Sequence, residues 1–136
     1  MPLGKDQTGL LTDYKTYLAA WNKTHNLISK KQTQNIEEHI SDSLIISSLL
    51  KENIVDLGSG GGLPGIPLAI TNPTKEFYLI ESNTKKSSFL LHTTSRLGLE
   101  NTTVINQRIE KVETKVFPES FDIVCRAVGT AEFIIS

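Results

Sequence analysis

One cysteine, Cys125, is the whole thiol complement of the chain. That excludes an internal disulfide framework and a cysteine-rich zinc site, and it suits a reducing cytoplasm. Long apolar runs are missing as well, and nothing approaches the roughly 20 residues a membrane helix needs. The opening Met1-Pro2-Leu3-Gly4-Lys5-Asp6 lacks the basic-then-apolar order of a secretion signal. Charge of one sign is not in surplus: 14 Lys and Arg stand against 15 Asp and Glu, a net of −1. A dedicated nucleic-acid module carries excess cations to displace counterions from phosphate, so only a local basic patch is compatible with this balance. What is present is the composition of a small soluble globular domain. The chain has 136 residues, 38% apolar and 21% charged, enough for one domain with its own core.

Residues 1–52 read as a helical lead and 53–136 as part of a sheet, together one domain. Leu10, Leu11, Tyr14, Tyr17, Leu18 and Trp21 recur at helical spacing and give one packing face. Thr33 is placed to cap a second helix, with Ile36, Ile40, Leu44 and Ile45 or Ser47 along one side, running on to Leu49-Leu50. From Asn53 the pattern changes to short β-branched runs at 54–57, 77–80, 103–105 and 121–125. Helical segments fall between them at 66–70 and from Thr84 to Leu97, with Gly98 as the C-terminal cap. Strands alternating with helices imply a parallel sheet with right-handed crossovers. Residues 130–136 read as the opening of a further helix, and such a sheet ordinarily carries more strands beyond the fourth. The expectation is an α/β domain with its C-terminal strands missing.

The most informative segment is Asp56-Leu57-Gly58-Ser59-Gly60-Gly61-Gly62-Leu63-Pro64-Gly65. A glycine turn between strand and helix lets backbone approach a ligand and aims amides at it. Two ligands compete. Gly60 to Gly65 fits the dinucleotide spacing G-x-G-x-x-G, whereas Asp56 to Gly62 fits D-x-G-x-G-x-G, the loop of class I S-adenosylmethionine methyltransferases. A carboxylate at Asp56 suits an ammonium and repels a diphosphate. Pro64 and Pro67 also remove donors a diphosphate wants. Glu81, about 20 residues past the loop, fits either class, since a carboxylate accepts two hydrogen bonds from a ribose diol.

With these residues placed, the chain resembles the RsmG (GidB) family of bacterial methyltransferases that modify a guanine N7 in small-subunit ribosomal RNA. The matching stretches are Trp21-Asn22-Lys23 with Asn26-Leu27, His39-Ile40-Ser41-Asp42-Ser43, and the glycine loop continued through Ile66-Pro67-Leu68. Glu81-Ser82, Lys85-Lys86, Phe89-Leu90, Arg108-Ile109-Glu110, Phe121-Asp122 and Arg126-Ala127 follow. The resemblance implies a Rossmann-like class I sheet with S-adenosylmethionine as cofactor. It implies contacts from Gly58 and Leu63 in the loop, Ile109 and Glu110 around the adenine, and Arg126 by the methyl-transfer pocket. Asp56, Gly60, Gly62 and Glu81 complete the expected cofactor site. Family members extend well past the position of Ser136, so the chain reads as C-terminally truncated.

Guanine N7 attacks the sulfonium methyl through an in-plane lone pair without losing a proton, so no general base is needed. No catalytic residue is assigned, and neither is a metal site. His39 and Asp42, at i, i+3 spacing, are either a local pair or part of the cleft. The expected partner is small-subunit ribosomal RNA or a ribosomal particle, met by a cytoplasmic monomer without membrane attachment. Lys23, Lys30, Lys31, Lys85, Lys86, Arg96 and Arg108 can form a positive rim, and Trp21, Tyr14 or Phe89 can stack bases. Two other readings stay open: a non-catalytic remnant binding only cofactor or RNA, and a nicotinamide-dependent oxidoreductase.

Overall fold

The structure, a computed structural model, describes residues 5–126 and 133–135. Five strands form one sheet in the order β3-β2-β1-β4-β5: β1 Asn53–Leu57, β2 Glu76–Ile80, β3 Thr102–Ile105, β4 Asp122–Arg126 and β5 Phe133–Ile135. The first four are parallel, with Val55 of β1 opposite Tyr78 of β2 and Ile123 of β4. β1 lies in the middle, and Ile54 and Val55 are both buried, as a strand covered on both faces requires. Five helices accompany the sheet: α1 Lys5–His25, α2 Lys30–Gln34, α3 Ile36–Ile45, α4 Gly65–Thr71 and α5 Thr84–Arg96.

The two sheet faces are covered differently. On one, Ile54, Phe77, Leu79 and Val124 join Tyr14 and Leu18 of α1, Ile40 of α3, Ile66 of α4 and Phe89 of α5 in the main core. On the other, Val55 and Ile80 meet Val112, with Phe117 edge-on to Tyr78 at 5.5 Å. That second cover comes from the β3–β4 connection, which holds two short 3-10 turns, Ile109–Lys111 and Thr114–Val116.

The clearest local logic is in α5. Asn83 caps it, its side chain accepting the Lys86 amide at 3.0 Å. At the far end Gly98 takes φ +67° while its amide reaches Ser95 O and the Leu99 amide reaches Thr94 O. This is the paired carbonyl closure that a left-handed residue permits, and glycine adopts it without a Cβ clash.

Two sequence expectations are corrected and one alternative is settled. The segment read as the start of a final helix holds a strand, β5, antiparallel to β4 with Phe133 opposite Arg126. Phe-Ile-Ile is β-favouring, and the open backbone edge of β4 offers it a ladder. Thr33 does not cap α3: its hydroxyl donates to Ser29 O at 3.1 Å, and Asn35 stands at the helix start. Of the two alternatives for the packing side, Ile45 is 71% exposed and Ser47 is half-buried.

Candidate cofactor site

β1 delivers Leu57 and Gly58, β2 delivers Ile80, and the two segments that leave β2 and β3 supply Ser82 and residues 107–110. Together they surround a cavity of about 260 Å³ at the carboxyl ends of the strands. An open α/β sheet places its ligands there, because loops diverge where the strands end. Of the predicted site residues, Gly58, Ile109 and Glu110 line this cavity. So do Ser82, Gln107 and Arg108, which the motifs did not assign to the cofactor. Their signal in the sequence was position: each follows directly on a strand end.

Gly58 has φ +68°, and a Cβ built there would meet nothing within 4 Å. Its lack of a side chain therefore leaves open space at the cavity wall rather than serving internal packing. Gly65 is the opposite case. A Cβ there would stand 2.5 Å from both Asp56 Oδ2 and Leu79 Cδ2, so glycine is needed for α4 to close onto the sheet.

Glu81 is 7% exposed and braces two backbones. Its Oε1 accepts the Gly60 amide at 2.8 Å, and its Oε2 accepts the Asn83 amide at 2.8 Å. A carboxylate has about four acceptor positions, so two remain for a diol.

Asp56, Gly60, Gly62, Leu63 and Glu81 do not line the cavity. Asp56 is fully buried beneath the loop, with Oδ2 accepting the Gly65 amide at 3.0 Å and Oδ1 lacking a partner. Burial pushes its carboxyl well above the usual range. The nearby Glu81 charge adds to this, while hydrogen bonds from Ser59 and Gly65 oppose it. The expected salt link from Asp56 to a ligand ammonium is thus replaced by a loop support: the side chain faces inward because it satisfies the first amide of α4. Leu63 is 3% exposed and belongs to the core, and Gly62 packs on Ile66. Arg126 closes β4, and its side chain lies outside the described residues.

Six of the loop amides are already engaged. Gly58 and Ser59 donate to Ile80 O, Gly62 to Ser59 O, Gly60 to Glu81, Gly65 to Asp56, and Ile66 to Gly62 O. Pro67 has no amide to offer. Most of the amides expected to aim at a ligand are therefore spent inside the loop, and the two that open α4, Gly65 and Ile66, are not offered to a diphosphate. Behind the loop, Tyr14 of α1 donates its buried hydroxyl to Gly61 O at 2.6 Å. Tyr14 and Phe89 are fully buried, which removes both from the base-stacking candidates.

The fold and the cavity define a Rossmann-like domain of the class I methyltransferase type. A solved precorrin-6y C5,15-methyltransferase from Geobacter metallireducens shares this fold, with a TM-score of 0.55 at 16% identity over 78% of this chain and 53% of that one. The chain belongs to the rRNA small subunit methyltransferase G (GidB) family, whose sequence profile matches residues 7–136. The ribosomal RNA small subunit methyltransferase G of Dichelobacter nodosus is 42% identical over 113 residues, covering 81% of this chain and 54% of the relative. That of Hydrogenovibrio crunogenus is 35% identical over 138 residues, covering the whole chain and 63% of the relative. The chain thus spans little more than half the length of such curated relatives. Among the described residues, no helix is long and apolar enough to cross a membrane, and no group of three or more His, Cys, Asp or Glu is placed to hold a metal ion.

Proposed function

We propose that this chain binds S-adenosylmethionine at the strand-end cavity and belongs to an enzyme that methylates N7 of a guanine in small-subunit ribosomal RNA, in the cytoplasm. The observation that carries the reading is the conjunction at one cavity of open Gly58, half-exposed Ile109 and Ser82, the residue that follows the buried Glu81 carboxylate. These residues fit an adenosine: Glu81 has acceptor capacity left for ribose hydroxyls, and Ile109, 43% exposed, offers an apolar face to a flat base. The bound donor supplies an electrophilic methyl on a sulfonium.

The residues' work is then to hold and orient. Transfer of that methyl to guanine N7 would require no proton to be removed, so the chain's residues would have only to keep the donor and the base in line. Positioning in line with the sulfur–carbon bond is the dominant contribution, and it needs no nucleophilic side chain. The engaged amides at the start of α4 count against the nicotinamide dinucleotide reading, which requires a diphosphate seat.

Calorimetric titration with S-adenosylhomocysteine and with NADH, followed by methyl transfer from labelled S-adenosylmethionine to small-subunit RNA, tests the reading. Binding of the first compound and labelling at guanine N7 are expected. Preferential NADH binding overturns the cofactor, and cofactor binding by folded protein without transfer marks a binding-only chain.

A further inference from the structure

Acidic residues are distributed unevenly in this near-neutral chain. Residues 14–36 contain no Asp or Glu, and neither do residues 82–99. Those two stretches nevertheless carry Lys15, Lys23, Lys30, Lys31, Lys85, Lys86 and Arg96, which is 7 of the chain's 14 Lys and Arg. α1, which carries Lys15 and Lys23, packs against α5, which carries Lys85, Lys86 and Arg96.

The seam between these helices is aromatic as well as cationic. The Trp21 indole lies 5.3 Å from the His25 ring, 5.4 Å from the His92 ring and 5.7 Å from Phe89. Four residues back along α1, the Arg96 guanidinium sits over the Tyr17 ring at 5.7 Å. His92, Arg96 and Lys85 are exposed, and Trp21 and Tyr17 are half-buried. Lys15 is drawn off by its ion pair with Glu37, but among the described residues no carboxylate forms a salt bridge with Lys85, Lys86 or Arg96. Lys85, His92 and Arg96 recur at 7 and 4 residues, so they share one side of α5. From Lys85 to Arg96 that line extends roughly 16 Å at 1.5 Å per residue. Its near end adjoins the cofactor cavity, since Ser82 lines the cavity and Thr84 begins α5.

We infer that the α1–α5 seam is an RNA-docking surface: Arg96 and Lys85 hold phosphates of the strand flanking the target, and Trp21 with His92 stacks an unpaired base. This deepens the proposed RNA methyltransferase reading and rests on it. Phosphate is the complement to cations that lack carboxylate partners, and an exposed ring set among them adds the stacking face single-stranded RNA uses. An apolar protein helix would waste the charge, and an acidic one would waste the rings.

The test exploits Trp21 being the only tryptophan in the chain. The full chain is titrated with a single-stranded small-subunit RNA fragment while indole emission is followed, and again as the His92→Ala/Arg96→Ala variant. Expected are quenching on RNA addition and about tenfold or greater loss of RNA affinity in the variant. The salt dependence of binding should become shallower by roughly one unit. S-adenosylhomocysteine affinity should not change, and the thermal midpoint should fall only slightly, through loss of the Arg96–Tyr17 and His92–Trp21 contacts. RNA binding that leaves emission unaltered and is equally tight in the variant overturns the surface while the RNA reading stands. Equal affinity for heparin without quenching marks a generic polyanion patch and also overturns it. Absence of RNA binding by the unaltered chain, with cofactor still bound, overturns both.

Discussion

Glu81, at the end of β2, holds the Gly60 amide of the neighbouring loop at 2.8 Å, so one carboxylate ties the first strand-to-helix turn to the start of α5. The same side chain stands where a ribose is proposed to lie. Cofactor affinity and loop geometry therefore share a single group.

Glu81→Ala removes both functions and is expected to weaken S-adenosylhomocysteine binding at least tenfold, since hydrogen bonds to a charged group are worth about 1.5–3 kcal/mol. Glu81→Gln should fall between, because the amide oxygen accepts only one of the two backbone amides and its NH₂ faces the other. Calorimetry on both variants checks the order. Equal affinity of Glu81→Ala and the unaltered chain removes Glu81 from the site.

Two glycines separate binding from folding. Gly58→Ala places a methyl in open space at φ +68°, costing about 1 kcal/mol of backbone strain and intruding on the ligand. Affinity should drop with only a small fall in thermal midpoint. Gly65→Ala drives a methyl onto Asp56 and Leu79 and should destabilise the fold by roughly 1–3 kcal/mol. A larger stability loss at Gly58 than at Gly65 reverses this assignment.

Asp56 sets a pH dependence. Its carboxyl titrates higher folded than unfolded because burial disfavours the charge. The folded state therefore holds the proton more tightly, and this contribution to stability is full below about pH 4. It is lost as pH rises through the raised folded value. Asp56→Asn keeps an acceptor for the Gly65 amide and carries no charge. Urea denaturation between pH 4 and 8 should show a flatter profile for the variant and equal or greater stability at neutral pH. Parallel profiles would show that Asp56 does not control it.

Tyr14→Phe strands the Gly61 carbonyl in the interior, and a buried unsatisfied polar group costs about 1–3 kcal/mol. Denaturant midpoints should show that loss, and an unchanged midpoint argues against the bond.

The parallel part of the fold was legible because each strand is a short apolar run, three of them closed by Gly58, Glu81 or Asn106, and the helix end at Gly98 was marked by the one residue type suited to φ +67°. The cavity was legible through Gly58, Ile109 and Glu110 for a related reason: strand ends are fixed by pattern, and ligands collect there. Asp56 was misread because a motif records spacing and not the direction of a side chain. Only the packed structure reveals that Asp56 turns inward to meet Gly65. Periodicity left Ile45 and Ser47 as alternatives because a ten-residue helix that ends in a 3-10 turn carries its last apolar residues off the packing stripe. β5 depends on an edge partner 7 to 11 residues earlier in the chain, which no local pattern in 130–136 records.

The phenol of Tyr14 makes the N-terminal lead a strut and not an appendage. Shortened versions trimmed to the sheet would retain every strand and still lose the post against which the glycine turn leans. Anyone seeking a minimal donor-binding fragment should therefore begin the chain ahead of that tyrosine.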